Sequence, residues 1–412
     1  MRFTQHYAGS TVCAPSRASL MTGLHTGHTQ IRGNKKVLPM GQYPLADEEL
    51  TVAELMQQAG YTTGLIGKWG LGISGTTGVP NNQGFDYFFG YLDQRHAHNY
   101  YPEFLFRNQN SIVIEGNKIS QPEADGSGVA VERNVYSHDL FIKEALKFIE
   151  TSSKSASNPF FLMLTLTIPH ANNEAEDKGM EVPDYGQYTN RDWPDPQKAH
   201  AAMISRMDRD IGKIVKRLKV LGIDKDTIVI FTSDNGPHQE GGGDPYFFDS
   251  NGVLRGIKRD LYEGGIRVPA IARWPSRIQP GTVSDHISAF WDMMPTFAEL
   301  AGVKAPQGTD GISLLPTLLG KPTQQRQHQY LYWEFPSGDG SQAIRKGSWK
   351  AVRLNVSENR YAPIQLFNLE KDSGETTNLA NDNPDIIAEM DILFAEARTE
   401  SELFKLFKLR EE

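Results

Sequence analysis

The residues best suited to chemistry sit in five short strings: Cys13 in CAPSRASLMTG, Lys68 in GLIGKWG, His170 in TIPH, Asp234 and Asn235 in TSDNG, and Lys258 in RGIKRD. Cys13 is the one cysteine in 412 residues, so an intrachain disulfide framework and a multi-cysteine metal site are excluded. FTQHYAG reads as a β-like approach, and the string after it as a short helix closed by Gly23. The thiol therefore falls at a helix N-terminus beside Arg17, a position that favours anions. On their own Lys68 and Lys258 read as solvated surface lysines and His170 as a capping histidine, and only their motif context argues for chemistry. Asp234 and Asn235 offer oxygen ligands suited to a hard cation, Ca²⁺ first and Mg²⁺ second, although Asp-Asn-Gly alone reads as a turn. Zinc is disfavoured, because no Cys/His cluster stands at ligand spacing.

The elements that position these residues alternate. Thr51 and Glu54 form a capping box for a helix that stops at Gly60, and the β-rich run Tyr61 to Ile66 delivers Lys68 at its end. A helix over Ser137 to Glu150 precedes the apolar strand Phe160 to Thr167, which delivers His170. A longer amphipathic helix over Gln197 to Leu221 precedes the strand Thr227 to Thr232, which delivers Asp234 and Asn235. A further strand spans Arg267 to Trp274, and a helix Asp292 to Ala301. Apolar strands alternating with helices predict an α/β fold with a mostly parallel sheet sandwiched by helices, whose ligands sit beyond the strands' carboxyl ends. Beyond Pro322 short strands at 329–335, 341–345, 349–354 and 364–369, then a helix after Pro384, predict a small antiparallel sheet with a helix. The expected domains are 1–322 and 323–412, with EARTESELFKLFKLREE read as a charged, solvated helix.

Composition narrows the function classes. Lys plus Arg is 42 against 50 for Asp plus Glu, a net charge of −8, which argues against nucleic acid or an anionic membrane surface as the main partner. The longest apolar run, Phe160 to Pro169, is about half the roughly 20 residues of a membrane crossing, so no span is expected. MRFTQHYAGS carries no apolar leader segment.

The cysteine string resembles the signature of the type I sulfatases, a family of alkaline-phosphatase-like fold, matching at Cys13, Pro15, Ser16, Arg17, Leu20, Thr22 and Gly23. GYTTGLIGKWGLG, from Gly60 to Gly72, is similar to the family's second signature, and the resemblance continues through SDNG and KRDLYEGGIRVP. It implies that a maturation enzyme oxidises Cys13 to formylglycine, whose hydrate attacks the sulfur of a sulfate monoester while His170 protonates the departing alcohol. It further implies Arg17, Lys68 and Lys258 as catalytic cations, and a bound Ca²⁺ held by Asp234, Asn235 and the modified Cys13. The substrate it implies is a sulfated carbohydrate. The aromatic loop Tyr87 to Tyr101 and the segment EGGGDPYFF are expected to rim the pocket.

Two departures stand out. Gly70 replaces the histidine of the family's GKWHLG, so an imidazole from His28, His96 or His98 is expected in its place, with His96, His98 and His238 as candidate substrate contacts. The Asp-Asp pair that usually precedes the cysteine is absent, and the lone Asp47 does not replace it. Absence of that pair and its strand predicts a truncated sheet and too few ligands for a cation that takes ~6–8 oxygens. Two other functions remain open: a phosphonate or phosphodiester hydrolase of the same superfamily, and a non-catalytic sulfoglycan-binding protein. A periplasmic or extracellular location is expected by resemblance, with the cytoplasm as the alternative.

Overall fold

Local chemistry sets the helix ends that deliver the site. The Thr51 hydroxyl accepts from the Glu54 backbone N–H, and the Glu54 carboxylate accepts from the Thr51 N–H at 2.7 Å, completing the predicted capping box. Gly23 closes the Cys13 helix at φ 71°, where an added Cβ would lie 2.7 Å from Met294 Cβ, so glycine is required on two counts.

The computed structural model describes residues 1–37, 41–155 and 158–408. Its first half runs β1 (Arg2–Tyr7), α1 (Cys13–Thr22), α2 (Val52–Gln58), β2 (Thr62–Lys68), β3 (Tyr87–Tyr91), β4 (Phe104–Arg107), β5 (Asn110–Val113), β6 (Asn117–Ile119), β7 (Ala130–Arg133), α3 (Ser137–Ser152) and β8 (Phe160–Thr165). There follow α4 (Asp195–Val220), β9 (Val229–Thr232), α5 (Glu263–Ile266), β10 (Arg267–Arg273), β11 (Val283–Ser284), β12 (Ser288–Ala289), α6 (Met293–Leu300) and α7 (Leu315–Leu318). The last part is β13 (Leu331–Phe335), β14 (Ser341–Lys346), β15 (Trp349–Leu354), β16 (Ile364–Asn368) and α8 (Pro384–Glu396).

The α/β architecture and the small antiparallel sheet are as the sequence predicts. The large sheet differs in being two five-stranded pieces of mixed pairing. One has the order β5-β4-β3-β2-β8, with β2 parallel to β3 and β8 and the other pairs antiparallel. The other has the order β11-β1-β10-β9, in which β10 runs antiparallel to both neighbours and β12 also pairs with β1. Among the described residues β8 pairs only with β2, and β9 only with β10, so each is an edge. Their side chains are half-buried although they are the most apolar strands of the chain.

The sheet β13-β14-β15-β16 is antiparallel throughout. One face carries α8 through Met390 and Phe394, and the other packs on the large unit, where Trp333 meets Tyr7 and Trp291. The Trp333 indole also donates to Ala8 O at 3.0 Å. The tail beyond Glu396 corrects the expectation of a solvated helix: its described part is non-helical, and Phe404 and Leu406 are buried. Tertiary bonds outweigh helix propensity there, since Arg398 pairs with Glu334 at 2.7 Å and the Thr399 N–H donates to Gly27 O. Among the described residues no helix is long and apolar enough to cross a membrane.

Trp333 is fully buried between sheet and large unit. Trp333→Ala should lower the unfolding free energy by about 3–5 kcal/mol in urea titration; a loss below about 1 kcal/mol would show that the two faces do not share a core.

Candidate active site

Three strand ends meet at the N-terminus of α1. Cys13 is its first residue and is buried, and its helix has no acidic residue in the first turn. Lys68, the last residue of β2, directs Nζ to Cys13 Sγ at 3.4 Å. Parallel pairing places Gly67 opposite Thr165, and the Thr165 hydroxyl donates to Lys68 O at 2.7 Å, which fixes the end of β2 against the end of β8. Arg17, one turn into α1, donates to Lys68 O at 2.6 Å and to the Asp234 carboxylate, beyond β9, at 2.9 Å. One guanidinium therefore ties together α1, β2 and β9.

The electrostatics are lopsided. Lys68 is 4% exposed, and among the described residues no carboxylate pairs with it. Burial pushes its pKa down, with the Cys13 side chain and Asp234 opposing. Burial works to raise the Asp234 pKa, but Arg17, Lys68 and Lys258 outweigh it and hold the carboxyl below its usual range. A buried cation without a carboxylate is costly unless an anion arrives.

His170 lies just beyond β8. Its Nδ1 faces Ala171 O at 2.7 Å and its Nε2 faces Lys258 Nζ at 2.9 Å. The carbonyl can only accept and the ammonium can only donate, so the proton sits on Nδ1 and Nε2 is the acceptor. Burial first, then Lys258, His98, Lys68 and His238, hold His170 well below the usual histidine pKa. The ring stacks between two others, His98 at 4.8 Å and His238 at 5.6 Å between centroids. His98 is anchored on Glu174 at 3.1 Å, and His238 on Pro169 O at 3.0 Å. Lys258 also donates to Glu240 at 2.8 Å, and Arg259 pairs with the same carboxylate, whose pKa falls to about 2. Arg259 stands in the left-handed region at φ 85°, held there by its N–H donating to Thr11 Oγ1 at 2.8 Å.

Cys13, Arg17, Lys68, His170, Asp234 and Lys258 thus converge, with His98 and His238 beside them. Two predicted histidines do not. His96 is fully buried between Tyr91 and Phe104, and burial pushes its pKa down to about 3. His28 stacks on His25 and bonds Asp310 at 2.9 Å, away from these residues. That trio does not read as a metal centre: His25 Nδ1 accepts the Gly27 N–H, which leaves the neutral ring's proton on Nε2, the atom turned to Asp310. The aromatic rim is also corrected, since Tyr91, Tyr100 and Tyr101 are buried; Tyr246 and Phe247 of the second segment are exposed. Glu240, Arg259 and Glu174 were not singled out from sequence, although Arg259 adjoins Lys258.

Oxygen donors gather beyond β9, at Asp234 and Asn235. Asn235 Oδ1 is buried without a partner, which suits a ligand, but one Asp234 oxygen is taken by Arg17. Among the described residues, Asp234, Asn235 and an oxidised Cys13 would supply part of the ~6–8 oxygens Ca²⁺ takes, with waters able to add others.

Because Lys258 opposes protonation of His170, Lys258→Ala should raise the pH midpoint of His170, read from its imidazole resonances by NMR. An unmoved midpoint would contradict the Lys258–His170 contact.

Comparison with known proteins follows the same residues. The family model described as Sulfatase matches residues 1–303, and that described as N-sulphoglucosamine sulphohydrolase, C-terminal, matches 256–399. An arylsulfatase of Hemicentrotus pulcherrimus is 32% identical over 375 residues, covering 85% of this chain but only 60% of its own length. Arylsulfatase A of Homo sapiens is 30% identical over 427 residues, covering 92% of this chain and 76% of its own length. The crystal structure of Ps i-CgsB in complex with k-i-k-neocarrahexaose shares the fold at a TM-score of 0.74 and 24% identity, covering 96% of this chain and 85% of that one. The chain belongs to the sulfatase family.

Proposed function

We propose that this chain hydrolyses sulfate monoesters carried on a carbohydrate, with Cys13 as the residue that bears the nucleophile. The observation that carries the reading is Lys68: a buried cation without a carboxylate partner, 3.4 Å from Cys13 Sγ at a helix N-terminus. A monoanionic sulfate ester supplies the missing charge, and backbone N–H groups at the start of α1 add to the attraction. The carbohydrate part of the proposal draws on the likeness to an N-acetylgalactosamine-6-sulfatase of Rattus norvegicus, 30% identical over 98% of this chain, and on the exposed Tyr246 and Phe247.

When a maturation enzyme has converted Cys13 to formylglycine, the hydrate of that side chain supplies the oxygen nucleophile. The surroundings of Cys13 fit such a group, because Lys68 Nζ donates to whatever atom stands at the γ position. Lys68 draws in the sulfuryl oxygens and opposes the charge that builds on them. Arg17, committed to Lys68 O and Asp234, fixes their geometry. Lys258 and His170 act as one proton store: at rest the proton lies on Lys258 Nζ and is shared with His170 Nε2, and negative charge developing on the departing alcohol oxygen draws that one proton out of the pair to the alcohol. Glu240 keeps Lys258 in line for that transfer.

His98 is the imidazole that compensates for Gly70, on the strength of its stack against His170. The space over Gly70 is taken by Gln94, whose Nε2 lies 2.5 Å from where a Cβ would stand. The divalent cation typical of the family is proposed only as an addition to Asp234 and Asn235, and no step above requires it.

With a synthetic aryl sulfate, enzyme co-expressed with the maturation enzyme should turn over, and it should prefer that ester to the aryl phosphate. Intact mass should place an aldehyde where the thiol of Cys13 was. Lys68→Ala should cut kcat by about 10²–10³-fold, and His98→Ala by about 10²-fold or more, while His28→Ala leaves it within a few-fold. Preference for the phosphate, or equal turnover in His98→Ala and the parent, would overturn the corresponding assignment.

A further inference from the structure

A fully buried ion cluster lies where the small antiparallel sheet meets the large unit. Lys350 of β15, Glu263 at the start of α5 and Glu375 in the loop after β16 are all 0% exposed. Lys350 Nζ lies 2.8 Å from Glu263 Oε1 and 3.3 Å from Glu375 Oε1. The other Glu263 oxygen accepts from the Tyr7 hydroxyl at 2.6 Å, and Arg345 of β14 donates to that hydroxyl in turn. Burial acts to raise the Glu263 pKa, but Lys350 and Arg345 outweigh it and hold this carboxyl below its usual range. A buried cluster of this kind adds little net stability over apolar packing, which points to geometry as what it supplies.

That geometry belongs to the loop that carries Lys258. Glu375 Oε2 accepts the Glu263 backbone N–H at 2.6 Å, and Glu375 is itself held at φ 53°, a left-handed conformation uncommon for glutamate. Arg255 donates to Glu375 O at 2.9 Å and lies 3.9 Å over the Tyr262 ring. Between Arg255 and Glu263 the chain closes on itself: the Gly264 N–H donates to Arg255 O at 2.6 Å, and the Asp260 N–H to Ile257 O at 2.9 Å. The turn has no slack, since an added Cβ would stand 2.1 Å from Gly256 O at Gly264 and 2.1 Å from Asp260 O at Gly265. A shift at Glu263 therefore moves 256–260, and with it Lys258, whose Nζ must reach His170 Nε2 and Glu240 at once.

We propose that Glu375 is a positioning residue for Lys258: by fixing the Glu263 N–H from the side of the small sheet, it sets the place of the loop that brings the ammonium to His170. Lys350 holds the two carboxylates together, and Arg255 holds Glu375 through its carbonyl. The consequence for the reaction rests on the proton transfer proposed for Lys258 and His170, whereas the consequence for their contact does not. A displacement of about 1 Å at such a pair costs on the order of 10²-fold in rate.

Two esters read the effect in the matured full chain: N-acetylgalactosamine 6-sulfate, whose alkoxide leaves poorly unless protonated, and 4-nitrophenyl sulfate, whose phenolate leaves unaided. Glu375→Ala should lower kcat at least tenfold on the sugar ester, with KM within about twofold, and less than about threefold on the nitrophenyl ester. Glu375→Gln, whose amide oxygen can still accept the Glu263 N–H, should return both rates to within about threefold of the parent. NMR reads the same variants without turnover. The His170 midpoint should rise in Glu375→Ala toward that of Lys258→Ala, because Lys258 opposes protonation of His170, while His98, Lys68, His238 and Glu240, which also face the ring, are unchanged. Arg255→Ala, at an exposed position, should move both readouts in the same direction and decides the matter if Glu375→Ala does not fold. Equal losses on the two esters, or an unmoved His170 midpoint, would overturn the proposal. If the parent lacks activity on either ester, that failure belongs to the catalytic reading, and the midpoint alone decides.

Discussion

The site depends on one uncompensated charge. Lys68 is carried into a buried position by a strand, at the N-terminus of a helix that has no acidic residue in its first turn. Leaving an ammonium there without a carboxylate is unfavourable, and the chain bears that cost only because neighbouring groups over-determine its position. Arg17 does most of this. By bonding Lys68 O it fixes the end of β2, and by pairing with Asp234 it engages an oxygen of that nearby carboxylate. The arrangement converts folding stability into affinity for an anion.

The second half of the site obeys the same logic with a proton instead of a substrate. Three imidazoles stacked on one another cannot all be charged, and Lys258 bonded to the central ring reinforces that. The stack is kept neutral by burial and by cations, while Glu240 and Glu174 hold its partners from outside. Positive charge is thus concentrated in Lys68, Lys258 and Arg17, and the histidines remain free to move protons.

What was legible in the sequence was local. The helix from Cys13 to Gly23, the capping box at Thr51, and the strands ending at Lys68, His170 and Asp234 each carry their signal within about ten residues, and all are present. What required the fold was distant. His98 meets His170 across 71 intervening positions, and Glu240 meets Lys258 from a loop with no regular period. His96 and His98, two residues apart in a tight 3₁₀ turn, point to different sides, so one enters the apolar core and the other the site. Periodicity alone does not show the division of the large sheet, because an apolar run reads as a buried strand whether or not both of its edges are paired; the expectation of a truncated sheet comes from the motif comparison instead.

The most direct test of the account is calorimetric titration of the protein with inorganic sulfate, comparing the parent chain with Lys68→Met, which keeps the bulk of the side chain and removes its charge. The account predicts one sulfate per chain for the parent, weakened at least tenfold in Lys68→Met at low ionic strength. Equal affinity in the two proteins would contradict the claim that the buried Lys68 ammonium is what draws the anion to Cys13.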